Sequence, residues 1–315
     1  MIYIVTPCLN TVETIDQTIE SVVSQVGTFI LHYHVQDGGS HDGTVEKLGS
    51  WSERIANSPA SARIFFSWAS EADCGVYDAV SKGLARLDIP DDAFLAWINA
   101  DDILFSRALN IVAETYRCFP DIQWLCGIPT VIDMQGEVLA QGAGYCLPQA
   151  FISRGVCDGI HWTGFQQEGT FFRKSLWDKV GGLDLNFKLA GDWDLWRRMA
   201  EHAPVVHVST ALGAFRRRPG QLSSVQADRY KFEMDSTISP ADRKKAMREF
   251  FRCVPKTVPV LDLVQGGLVY GEENRLSAFK QKVYLGLSGY GMVFLIRLYR
   301  KLRTLLTTRR GKYFF

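Results

Sequence analysis

Three acidic stretches follow runs of apolar residues or open a helical pattern, and each has the composition of a chemical site. Asn99-Ala100-Asp101-Asp102 follows the apolar run Ala93–Ile98. A carboxylate there can hold Mg²⁺ or Mn²⁺ against phosphate oxygens, because Mg²⁺ commonly takes only one or two protein carboxylates. Asp101 is the metal-holding candidate, and Asp102 either orients a bound sugar or hydrogen-bonds its own loop. Asp37 precedes Gly38-Gly39. Its carboxylate can accept N–H groups of uracil or guanine while the glycines let backbone approach a ligand closely. Asp192 and Asp194 lie in Gly191-Asp192-Trp193-Asp194-Leu195-Trp196. Either can take the proton from a hydroxyl attacking a carbon in line with a departing phosphate. The same residue types also make plain turns and helix caps, so their chemistry depends on whether the fold brings them together.

The elements that would do so are readable from periodicity. Ile2–Val5 is a strand closed by Thr6-Pro7, and Ile15, Ile19, Val22, Val23 and Val26 recur at helical spacing. Leu31–Gln36 alternates as a strand up to Asp37, and a short helix carries Val45, Leu48 and Trp51. Arg63–Trp68 reads as a third strand, Val76, Val80, Leu84 and Leu87 as a third helix, and Ala93–Ile98 as a strand buried on both faces. Strands alternating with helices predict an α/β fold with a mostly parallel sheet flanked by helices. In such sheets ligands bind beyond the carboxyl ends of the strands. That edge would collect Thr6-Pro7, Asp37, Glu71 and Asp73, and Asn99 with Asp101 and Asp102. Further on, Gln123–Cys126, Thr130–Ala140 and Val205–Val208 read as strands. Arg173–Val180 and Asp192–Glu201 read as helices separated by Gly181-Gly182, and Ser239-Pro240 opens another.

Six ordered stretches resemble glycosyltransferase family 2. They are Val5–Asn10, Gln36–Thr44, Ser70–Ala79, Ile98–Asp102, Gln167–Arg173, and Gly181–Asp184 with Gly191–Trp196. The resemblance covers about residues 1–225 and implies a GT-A fold, Rossmann-like, with a helical C-terminal extension. It implies inverting transfer of a sugar from a nucleotide-diphosphate donor, UDP-sugars favoured, to a glycan or lipid-linked glycan acceptor. Bacterial surface polysaccharide biosynthesis would be the setting. By resemblance Thr6, Pro7, Asn10, Asp37 and Gly38 would meet the donor nucleotide, with Asp73, Asn99 and Ala100 beside it. Asp101 would be the last carboxylate of the D-x-D metal motif and Asp192 the catalytic base. Gln167, Glu168, Asp102, Trp193 and Asp194 would border the donor sugar or acceptor. Two positions depart from the pattern. Asn99 replaces the first D-x-D acid, and Arg218 stands in Phe215-Arg216-Arg217-Arg218-Pro219-Gly220-Gln221 where relatives often carry histidine. Arginine cannot ligate a metal but grips phosphate well, so Arg218 is expected on the diphosphate and metal affinity is expected to be modest.

Composition is compatible with this and excludes little else. The 315 residues carry 35 Lys+Arg against 34 Asp+Glu, a balance that gives no reason to expect nucleic acid. Seven cysteines without a C-x-x-C pair argue against a zinc site and favour a reducing cytoplasm. No charged leader precedes Met1–Val5, so no signal peptide is expected. The division expected is a transferase domain over 1–235, with a nucleotide half (1–102) and an acceptor half (103–235), then an extension over 236–315. Within it Val283–Ile296 is apolar and Arg297, Arg300, Lys301, Arg303, Arg309, Arg310 and Lys312 follow. Fourteen apolar residues are short of the roughly 20 needed to span a bilayer. Two readings of 283–315 stand equal: a segment lying on the inner face of the plasma membrane, or a helix docked on the core. The oligomeric state is left open. Two rivals share the alternating sheet. A sugar-1-phosphate nucleotidyltransferase would need a glycine-rich basic loop after the first strand, which Thr6–Asn10 lacks. A catalytically weak nucleotide-sugar-binding protein is suggested by Asn99 and Arg218.

Overall fold

The computed structural model describes residues 1–142, 147–162, 164–221, 225–253, 258–264 and 267–273. The stretch 283–315, with both readings of it, lies outside the described residues. Among those described, nine strands form one sheet with a parallel heart. Strand β1 (Ile2–Cys8) pairs in parallel with β2 (Leu31–Asp37) on one side and with β4 (Phe94–Trp97) on the other. Strand β3 (Ile64–Ser70) continues the sheet in parallel beyond β2. Beyond β4, strand β9 (Thr170–Arg173) runs antiparallel between β4 and β6 (Trp124–Cys126). Then β10 (Val206–Val208) and β12 (Val258–Val264) add in parallel, and β13 (Gly267–Glu273) closes the far side antiparallel.

Alternation along β1 explains why both faces are covered. Tyr3 and Val5 enter one core with Trp97, Trp124 and Phe172, while Ile2 and Ile4 enter the other with Leu31, Tyr33 and Phe94. Helix α1 (Ile15–Val23) buries Ile15, Thr18, Ile19 and Val22, the face its spacing predicts. Helices α2 (Thr44–Ala56) and α3 (Val76–Ala85) complete the first half. Helix α7 (Gly191–Ala200) docks through Leu195, Trp196 and Met199. Trp196 stacks on Trp97 at 5.4 Å and on Trp124 at 5.9 Å between ring centroids. Truncating such a residue costs about 3–5 kcal/mol, so the helix that carries Asp192 is firmly anchored one turn beyond that residue.

Two features differ from expectation. Strand β1 runs on through Thr6-Pro7 to Cys8 instead of stopping there. Its pairing with β4 ends at Val5, so Pro7 lies where only β2 flanks the strand and the missing N–H leaves no gap on the β4 side. Second, the region beyond 235 holds the expected helix, Pro240–Cys253, started by Ser239, whose hydroxyl accepts the Asp242 amide at 3.1 Å. It also holds β12 and β13, which extend the central sheet and were not foreseen as strands.

A smaller sheet lies beside the parallel edge, in the order β5 (Ile103–Leu104), β11 (Gly213–Arg216), β7 (Thr130–Ile132), β8 (Val138–Gln141). It brings Arg216 against the Asp101–Asp102 loop. Among the described residues no helix is long and apolar enough to cross a membrane.

Candidate functional site

The parallel register places Cys8, Asp37 and Ser70 side by side at the carboxyl ends of β1, β2 and β3. Asp37 is fully buried. Its Oδ2 accepts Gly39 N at 3.0 Å, Ser40 N at 2.9 Å and Ser70 Oγ at 2.6 Å, and its Oδ1 accepts Ser40 Oγ at 2.5 Å. Burial alone would raise its pKa. The hydrogen bonds from Ser40, Ser70 and Gly39 outweigh that and hold it below the ordinary carboxylate value. The Cys8 thiol also donates to Oδ1, at 3.5 Å. In this structure Asp37 organises the loop at the strand end where the sequence placed it. Asn10, at φ 52°, joins the neighbouring loop to it: its amide donates to Ser40 Oγ at 2.7 Å and its Oδ1 accepts the His41 amide at 3.0 Å. The Thr6 hydroxyl pairs with Tyr33 at 3.0 Å inside the sheet, and Pro7 lies beside it in β1. Asp73 lies against Gly38, where an added Cβ would come within 2.5 Å of its Oδ2. Only glycine permits that approach.

The loop after β4 is held from several sides. Asp102 Oδ1 accepts the Arg216 amide at 2.8 Å and its Oδ2 accepts Asn99 Nδ2 at 3.1 Å. Arg216 is fully buried. It donates to the Asp101 carbonyl at 2.6 Å, the Asp133 carbonyl at 2.7 Å and Gln17 Oε1 at 2.7 Å. Ala100 is buried beneath the loop. Gln167 donates to the Trp97 carbonyl and accepts from Asn99 at 3.4 Å, which ties this loop to the turn before β9. Its neighbour Glu168 is buried, and burial pushes its carboxyl up to about 7, with the charges of Asp101 and Asp192 adding to the effect. Asp102 is likewise pushed well up, by burial and then by the Glu168 and Asp101 charges. Asp101 Oδ2 is paired with Arg218 Nε at 2.5 Å. Arg218, expected on the diphosphate, is thus paired here with the carboxylate expected to hold the metal.

Asp192 lies in the first turn of α7. Burial pushes its carboxyl up to about 6, and the Tyr77 hydroxyl contacts its Oδ1 at 3.2 Å. The same hydroxyl donates to the Leu189 carbonyl at 2.6 Å. Gly191 lets Tyr77 in, since a Cβ there would lie 2.6 Å from the ring. Asp192 thus meets the β3–α3 side through Tyr77, and its charge is felt at Glu168 on the other side. Asp194 takes no part. Two residues along a helix are 200° apart, and its carboxylate is held by Arg197 at 3.0 Å and Arg198 at 2.7 Å. Arg198 donates onward to the Gly182 carbonyl at 2.7 Å. Trp193 is also withdrawn from the expected sugar or acceptor pocket, buried with Ala190 and Met234.

Tyr77, Arg216 and Gln17 are site residues that sequence reasoning did not single out. Strand alternation in β11 puts Ala214 and Arg216 on the inward face, a signal that singles Arg216 out of three consecutive arginines. Nothing in the sequence marks Tyr77 as more than a core aromatic of α3. Among the described residues no three His, Cys, Asp or Glu side chains are grouped to hold a metal by themselves. One carboxylate completed by phosphate and water oxygens is still an ordinary Mg²⁺ arrangement.

Comparison with known proteins agrees with this architecture. The family model described as Glycosyl transferase family 2 matches residues 3–138. A PGL/p-HBAD biosynthesis glycosyltransferase of Mycobacterium bovis is 23% identical over 195 residues, 62% of this chain and 67% of that protein. An uncharacterized glycosyltransferase of Mycobacterium tuberculosis is 28% identical over 200 residues, 62% of this chain and 68% of its own length. Among solved structures, S. aureus TarS superposes with a TM-score of 0.53 at 13% identity, over 79% of this chain and 43% of TarS. This chain therefore spans less than half the length of that protein. TarS 1–349 in complex with UDP-GlcNAc gives 0.52 at 16% identity, over 80% of this chain and 66% of that fragment. Residues 3–138 thus match the glycosyl transferase family 2 model, and the fold over about four-fifths of the chain is that of these GT-A structures.

Proposed function

We propose that this chain is an inverting glycosyltransferase. It moves a sugar from a nucleotide-diphosphate donor, UDP-sugars favoured, to a hydroxyl of a glycan or lipid-linked glycan. Residues 1–235 form the catalytic domain, and the cytoplasmic face of the plasma membrane and bacterial surface polysaccharide synthesis are its setting. The observation that carries the reading is Asp192. It is a carboxyl pushed up to about 6 by burial, contacted by the Tyr77 hydroxyl, and its charge is felt at Glu168. A base whose pKa lies just below the working pH is mostly ionised yet still accepts a proton readily.

The donor diphosphate would lie at the edge between the β1 and β4 loops. Burial and the Asp101 charge push the neighbouring Asp102 and Glu168 carboxyls up, and a cation on Asp101 would offset that repulsion. Asp101 would hold Mg²⁺ or Mn²⁺ together with diphosphate oxygens, and the ion would neutralise the leaving group's charge. Arg218, partly exposed with Nε on Asp101, has further N–H groups for the phosphates. Asp192 takes the acceptor's hydroxyl proton as that oxygen bonds to the anomeric carbon. The bond from that carbon to the diphosphate breaks on the opposite face, so configuration inverts. The proton ends on Asp192 and the electron pair on the diphosphate.

The test is a panel of UDP-, GDP- and dTDP-sugars with and without Mn²⁺, starting with UDP-GlcNAc. Product anomers are read by NMR, and Asp192→Asn and Asp101→Asn are assayed alongside the wild type. Asp192→Asn should abolish transfer and spare donor binding. Turnover retained in that variant, or a product with the donor's own configuration, would overturn the assignment. Tight donor binding with no turnover in the wild type would favour the catalytically weak binder instead.

A further inference from the structure

Helix α7 begins without a cap of its own. Its N-cap position is Ala190, which makes no side-chain cap hydrogen bond, although the first amides of any helix need partners from outside it. The N-cap amide and the two amides before it are held by a helix more than forty residues away. Helix Ala227–Thr237 packs Met234 against Ala190 and Trp193, with Tyr230, Ile238 and Phe187 around them. Beside Met234, Glu233 turns its carboxylate to three consecutive amides. Oε2 accepts Leu189 N and Ala190 N at 2.9 Å each, and Lys188 N lies 3.2 Å from both oxygens. The Leu189 carbonyl is held from the other side by Tyr77, whose hydroxyl also meets Asp192. The peptide leading into Asp192 is thus clamped between α3 and Glu233.

We propose that Glu233 is a positioning residue for sugar transfer, holding in trans the Lys188–Ala190 amides that lead into the helix carrying Asp192 and fixing where its carboxyl meets the acceptor hydroxyl. The inference rests on Asp192 as the base. An anionic cap suits a helix N-terminus. Its charge also disfavours ionisation of Asp192, behind the larger effect of burial. The groups facing Asp192 are Tyr77 from α3, Tyr230 and Glu233 from the 227–237 helix, and Glu168 from the turn before β9.

The experiment compares full-length wild type, Glu233→Ala, Glu233→Gln and Asp192→Asn. Amide hydrogen exchange is followed over 188–196, the Asp192 carboxyl is titrated by carbon-13 NMR, and UDP affinity and turnover are measured. Glu233→Ala should exchange faster over 188–196 and lose about 100-fold in kcat, with UDP affinity within about twofold of wild type. Glutamine keeps an acceptor oxygen and drops the charge. Glu233→Gln should therefore restore amide protection and most of kcat, and should move the Asp192 midpoint down by about 0.5 pH unit. Wild-type exchange in Glu233→Ala, or an unmoved midpoint in Glu233→Gln, would overturn the proposal. Retained turnover in Asp192→Asn would instead overturn the base reading, so the two failures are read on different variants.

Discussion

Asp192→Asn should make the protein more stable at alkaline pH while removing its activity. The reason lies in the free energy of keeping a carboxylate ionised where the fold disfavours its charge. Burial moves Asp192 from 3.8 to about 6. The folded state therefore binds this proton more tightly than the unfolded chain. For a group raised in this way, the stability it contributes is complete below 3.8 and is lost as pH rises through about 6. The whole interval corresponds to about 3 kcal/mol. Solvent contact at the carboxyl screens part of this, leaving about 2 kcal/mol at pH 8 and about half of that at pH 5. Asparagine cannot ionise, yet its Oδ1 can still accept from Tyr77. The stability gap between variant and wild type should therefore widen from about 1 to about 2 kcal/mol between pH 5 and pH 8. Urea unfolding of both proteins at pH 5, 6.5 and 8 measures it. A gap that stays flat with pH, or an asparagine variant less stable at pH 8, would refute the electrostatic reasoning and with it the tuned base.

Asp194→Ala should behave oppositely. It releases Arg197 and Arg198 and costs about 1–3 kcal/mol in unfolding free energy, while KM for the donor stays unchanged. Arg218→Ala should weaken UDP binding by about 10–100-fold, the worth of a charge-assisted hydrogen bond, as calorimetry with UDP and Mn²⁺ would show. Gly191→Ala should drive a Cβ into the Tyr77 ring. Overpacking of this kind costs about 1–3 kcal/mol, and a fall in kcat alongside the lower melting temperature would show that Tyr77 and Asp192 move together.

Periodicity made the central strands legible. The uninterrupted apolar run ending at Ile98 predicted a strand buried on both faces, and that prediction put Asn99, Asp101 and Asp102 at the working edge of a parallel sheet. The helical stretch after Gly191 was legible for the same reason, since Leu195, Trp196 and Met199 must face a core. What the pattern could not carry was the state of each polar group once it arrived. Asp37 is at the expected strand end, but Ser40 and Ser70 fill its oxygens, and hydroxyls at those spacings read only as turn residues. Asp192 and Asp194 look alike in one dimension. In three, one meets Tyr77 of α3 and the other is locked by two arginines of its own helix. Thr6-Pro7 reads as a strand end until the pairing shows that one neighbour has already stopped.

The arginines of β11 and its loop show why pairing matters more than charge counting here. Asp101 lies beside Asp102 and Glu168, and its charge adds to burial in pushing both of those carboxyls up. Arg216 answers this from beneath. It is spent on the backbone carbonyls of Asp101 and Asp133 and on Gln17, and its own amide holds Asp102. It therefore fixes the loop's shape and leaves nothing for a ligand. Arg218 answers from the solvent side, with one nitrogen on Asp101 and the rest of its fork exposed. A diphosphate approaching Asp101 would otherwise meet like charge at short range. On the proposed reading, a guanidinium already seated on that carboxylate would make the approach favourable before any metal ion arrives. Arginine at position 218, where relatives often carry histidine, would then be more than the loss of a ligand. It would move part of the work of holding the leaving group from the metal to the protein.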